Sequence, residues 1–85
     1  MRRIPRRRDA NEQSIVDAFT ALGWSVQRIS AKGAPDLVCA KGQRVVFVEV
    51  KTAKGKLTKD QVTWHANWRG PKPVIVRRVE DVGSV

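Results

Sequence analysis

The sequence predicts one small α/β (α+β-like) domain: a mixed four-stranded sheet flanked by helices, with elements in the order αβββαβ. Three observations carry this. Two segments repeat apolar residues at helical spacing behind capping signals, four short segments read as strands, and a helix separates the third strand from the fourth. A strand, a helix and a strand in succession form a right-handed parallel crossover, whereas the tight Lys41-Gly42-Gln43 connection makes strands two and three a hairpin. A chain of 85 residues has room for a single core, because at this size only roughly 60–65% of the unfolded surface is buried.

Asp9 followed by Glu12 has the spacing of a capping box, and Ile15, Val16, Phe19 and Leu22 then recur with helical period until Gly23, giving a first helix over about residues 10–22. Trp24 to Ile29 alternates apolar and polar residues, as a strand with one wet face does. Ser30 to Pro35 is a loop. Asp36 to Ala40 and Arg44 to Lys51 form the hairpin, and the second of these is apolar on both faces, so it takes a central position in the sheet. Thr52 to Lys56 is a basic turn around Gly55. Thr58 with Gln61 forms another capping box, opening a second helix that runs to about Trp68 before Gly70-Pro71-Lys72-Pro73 ends it. Pro73 to Arg77 is a short last strand, and Val79 to Val82 adds a helical turn.

Seventeen Lys and Arg against eight Asp and Glu give a net charge of +9, which calls for a polyanionic partner, either nucleic acid or an acidic membrane surface. Five of the arginines, Arg2, Arg3, Arg6, Arg7 and Arg8, crowd the first eight positions around Pro5. Residues 1–8 are therefore expected to form a flexible basic arm, and residues 9–85 the folded domain, which retains twelve basic against eight acidic residues. The arm lacks the apolar face of an interfacial helix, and no apolar run suited to export or membrane spanning follows it, so a cytoplasmic protein is expected. One cysteine and one histidine exclude an internal disulfide and a cysteine-based zinc site. A bound metal is then held mainly by oxygen, which favours Mg²⁺ or Mn²⁺.

The third strand puts Phe47, Glu49 and Lys51 on one face and Val46, Val48 and Val50 on the other. Two charges thus interrupt a buried strand, where an unpartnered charge is costly. Taken alone, Glu49 and Lys51 read as an ion pair at the strand's end. Asp36 changes the balance: the hairpin carries it alongside Glu49, and two neighbouring carboxylates call for a cation between them. Its structural alternative is an Asx-type turn residue after Pro35. Glu12 lies in the apolar stripe of the first helix, and Gln61 shares a stripe with Leu57, Trp64 and Trp68, although capping boxes account for both residues as well.

Pro35-Asp36, twelve residues and then Glu49-Val50-Lys51 resemble the PD-(D/E)xK nuclease signature. The wider string of Val48 to Lys51, Gly55-Lys56-Leu57-Thr58 and Gln61 resembles the VRR-NUC branch of that superfamily, in its small stand-alone phage and bacterial form. The resemblance implies a restriction-endonuclease-like core and a prokaryotic or phage-infected host. It also implies that Asp36, Glu49 and the carbonyl of Val50 hold Mg²⁺ or Mn²⁺, with Glu12 as a further ligand. Lys51 would orient the attacking water or stabilise the transition state, and Gln61 would position Lys51 or that water. Similarity to Holliday-junction resolvases implies a homodimer that hydrolyses phosphodiester bonds in branched DNA such as four-way junctions.

Lys32, Lys54, Lys56 and Lys59 flank these residues and read as phosphate contacts or as solvated loop charges. Trp24, Trp64 and Trp68 are candidates for stacking on unpaired bases, with core or dimer packing expected for two of them. His65 reads as a surface or interface residue and Cys39 as a small buried hydrophobe. The rival reading is a non-catalytic basic nucleic-acid-binding protein, whose binding would not depend on Asp36 or Glu49.

Overall fold

The computed structural model describes residues 10–85. The expected basic arm and Asp9 lie outside the described residues. The elements are helix α1 (Glu12–Ala21), strands β1 (Ser25–Arg28), β2 (Leu37–Lys41) and β3 (Arg44–Val50), helix α2 (Lys59–Asn67), strand β4 (Val74–Val76) and a closing 3₁₀ turn over Val79–Ser84. The sheet order is β1-β2-β3-β4, with β1–β2 and β2–β3 antiparallel and β3–β4 parallel. The predicted αβββαβ order, mixed sheet and central third strand are all present, and the arrangement is consistent with a restriction-endonuclease-like fold.

A two-residue turn, Gly42-Gln43, closes the hairpin with Lys41 paired to Arg44. Gly42 adopts φ +59, the backbone conformation such turns ask of a residue without Cβ. Strand β3 then alternates as its sequence demands. Val48 and Val50 join Ile15 and Phe19 of α1, Leu37 and Cys39 of β2, Val76 of β4, Trp24 and Val82 in the core. Phe47 and Glu49 point the other way, toward α2, where Phe47 meets Trp64 and Trp68 edge-on.

Trp24 belongs to the core and is not a stacking platform for bases. It is 6% exposed, sits edge-on to Phe19 at 5.7 Å, and carries the Arg44 guanidinium 5.1 Å above its ring. Cys39 is fully buried, and desolvation pushes its thiol up to about 11. At pH 8 the native protein is therefore expected to resist alkylation by iodoacetamide and to react readily once unfolded, a difference that mass spectrometry with and without urea will measure.

The first helix begins later than the capping pattern predicted. Asn11 is the N-cap and makes no capping hydrogen bond; its Nδ2 instead donates to the carbonyls of Lys51 at 3.2 Å and Arg77 at 2.9 Å. Glu12 is the first helical residue, where its carboxylate accepts from Arg28 Nε at 2.9 Å. A tertiary ion pair across to β1 holds this acid where the local pattern suggested a capping role.

Candidate active site

Asp36 and Glu49 come together through strand register. Leu37 pairs with Val48, so one further step along the antiparallel ladder sets Asp36 opposite Glu49. The backbone of Asp36 accepts from Ile29 N–H at 2.8 Å, and its Oδ2 accepts from the backbone N–H of Val50, also at 2.8 Å. Main chain and side chain are thus both fixed. Asp36 is 7% exposed, Glu49 is fully buried, and Lys51, the next residue on the Glu49 face, is 7% exposed. The Lys51 N–H donates to Val76 O at 3.0 Å, tying the end of the β3 face to β4.

Gln61 resolves the competition between capping and site chemistry by using both ends of its amide. Its Oε1 accepts from Thr58 N–H at 2.9 Å, completing the predicted capping box, while its Nε2 donates to Glu49 Oε2 at 2.9 Å. Its direct partner is therefore Glu49; the resemblance had pointed to Lys51 or a water. Gln61→Ala is expected to cost about 1–3 kcal/mol, since it removes a cap and a buried charge-assisted hydrogen bond together. Urea denaturation will measure that loss.

His65, read from the sequence as a surface or interface residue, is half-buried against Glu49. Its side chain is only 15% exposed and its Nε2 lies 3.5 Å from Glu49 Oε1. Burial, then the charges of Lys72 and Lys51, hold its imidazole below the ordinary range, so the ring is neutral at pH 7. The available signal was its position four residues after Gln61, which puts both on one helix face.

Glu12 is 3% exposed and ion-paired with Arg28, whose Nη2 also reaches Gln13 Oε1 at 2.7 Å. Asn11, its neighbour in sequence, binds the Lys51 carbonyl and so seats the start of α1 at the end of the β3 face. Among the described residues, no group of three or more His, Cys, Asp or Glu side chains is arranged to hold a metal ion. Asp36, one register step from Glu49 and bonded to the Val50 backbone, supplies with Glu49 and the Val50 carbonyl a set of oxygen donors, the chemistry a hard divalent cation requires.

All four candidate lysines are exposed, Lys32, Lys54 and Lys56 in loops and Lys59 in a helix. Lys54 and Lys56 lie in the turn after Lys51, which Arg77, the residue that follows β4, clamps through bonds to Thr52 O at 2.8 Å and Gly55 O at 2.7 Å. Nothing in the sequence pattern marks Arg77 for this duty, which depends on the β3–β4 pairing. Lys59 opens α2, and Lys32 sits 3.7 Å from Asp60. Gly33 makes that approach possible: at φ +74, a Cβ there would lie 2.7 Å from the Asp60 carbonyl oxygen.

A family model described as archaeal Holliday junction resolvase (hjc) matches residues 3–82, nearly the whole chain. No curated protein and no solved structure matches it.

Proposed function

We propose that the chain, which belongs to the archaeal Holliday junction resolvase (hjc) family of PD-(D/E)xK-type nucleases, is a structure-selective endonuclease that uses Mg²⁺ or Mn²⁺ to hydrolyse phosphodiester bonds in branched DNA. Nucleases of this type generally depend on a divalent metal. The observation that carries the reading is the opposition of two buried carboxylates, Asp36 and Glu49, with Lys51 next on the same face.

In this reading Asp36, Glu49 and the Val50 carbonyl hold the cation, and Glu12 is a further ligand, supported by its burial and by the seating of α1 at Lys51. When bound, the cation lowers the pKa of a coordinated water and offsets charge on the phosphate. Lys51 places its ammonium beside the phosphate, where it stabilises the charge that develops in the transition state. Gln61 and His65 keep the Glu49 carboxylate oriented from α2. The run from Glu49 to Gln61 is of VRR-NUC type, supported by the bond between those two residues.

Lys32, Lys54, Lys56 and Lys59 contact phosphates flanking the cut, and the basic arm adds sequence-independent attraction. One such centre cuts one strand, so a C2 homodimer supplies the two symmetric cuts that resolution of a four-way junction requires.

Labelled four-way junction, flap and linear duplex DNA, each with Mg²⁺, Mn²⁺ or EDTA, test this directly. Metal-dependent nicking of branched substrates in preference to duplex is the expected result. Tight binding of every substrate with no cleavage in either metal would instead make the chain a non-catalytic nucleic-acid-binding protein.

A further inference from the structure

Along α2 lies an open cleft of about 370 Å³, lined by Lys32, Asp60, Thr63, Trp64, Asn67 and Trp68. Trp64 and Trp68 stack on each other with ring centroids 4.7 Å apart and planes 15° from parallel. Phe47 braces both edge-on, at 6.2 and 5.3 Å. Both indoles are only partly buried. Phe47 lies two residues before Glu49 on the same strand face, so the backbone positions of these two residues are about 7 Å apart along β3.

We propose that this cleft holds one unpaired nucleobase of the DNA strand, stacked against the Trp64–Trp68 pair. The assignment rests on the reading above only in taking DNA as the partner. The lining and the charge of the whole chain select this occupant: the stacked indoles offer a flat aromatic face, Thr63 and Asn67 offer hydrogen bonds to base edges, Lys32 and Asp60 offset each other at 3.7 Å, and the net charge of +9 draws a polyanionic strand. Stacking on aromatic rings accepts any base, because every base has a π-face. The requirement for an unpaired base follows from geometry, since within a continuous duplex those faces are covered by neighbouring bases. A branch point interrupts that stacking.

The test uses the full chain without metal, so that no cleavage occurs. Tryptophan fluorescence is followed during titration with a short single-stranded oligodeoxynucleotide and with an abasic oligonucleotide of equal length and charge. Trp24 is 6% exposed, so quenching reports on Trp64 and Trp68. The base-bearing strand is expected to quench and to bind about tenfold or more tightly than the abasic one. Trp64→Leu, which retains apolar contact with Phe47, should erase the difference. Thr63→Leu, at an exposed position, should also erase it by filling the cleft without adding an aromatic face, and it serves alone if Trp64→Leu does not fold. Equal affinity for the two strands, or a preference that survives cleft filling, overturns the assignment. So does quenching that tracks protein concentration without DNA, which would give the cleft to a second copy of the chain. Base preference without cleavage under any metal removes the nuclease reading and leaves the cleft standing; cleavage without base preference does the reverse.

Discussion

Glu49→Gln is expected to lower metal-dependent cleavage about 10²–10³-fold while leaving DNA affinity within a few fold of the native protein. The amide keeps the shape of the side chain, and its carbonyl oxygen still accepts the hydrogen bond that Gln61 Nε2 gives at 2.9 Å. What it loses is the negative charge at a fully buried position opposite Asp36. Binding to phosphates rests on exposed lysines and has no need of that charge. Single-turnover cleavage of a labelled junction, anisotropy binding and a thermal melt together separate the effects. A variant that folds, binds and cuts at the native rate would remove Glu49, and with it the proposed centre.

Phe19→Ala is expected to produce the largest loss of stability, about 3–5 kcal/mol. Phe19 is fully buried, and its edge-on contact with Trp24 joins α1 to the start of β1. Domains of this size are stable by only about 5–15 kcal/mol in total, so the loss takes a large share. Urea unfolding should show a lower midpoint with little change in slope. A shift below about 1 kcal/mol would mean that the cavity collapses almost freely, contrary to the close packing of α1 on the sheet.

Much of the site was legible because strand geometry is local. Alternation in Val45 to Val50 places Glu49 with Phe47 and against Val48, and the hairpin length sets the register that brings Asp36 opposite Glu49. The Thr58–Gln61 capping box was legible for the same reason, since all its atoms lie within one helical turn. The second use of Gln61 was not, because a capping box does not specify where the other half of the amide points. That depends on the angle at which α2 crosses β3.

The amino-acid order by itself determined the element order, the central place of β3 and the side of the sheet on which Asp36, Glu49 and Lys51 stand, since backbone periodicity and short turns act over a few residues. Only the tertiary structure decided that Glu12 pairs with Arg28, that Asn11 binds the carbonyls of Lys51 and Arg77, and that His65 comes within 3.5 Å of Glu49. Those partners lie between 16 and 66 positions apart in the chain. Contacts of that range form only when packing of α1 and α2 on opposite faces of one sheet selects them.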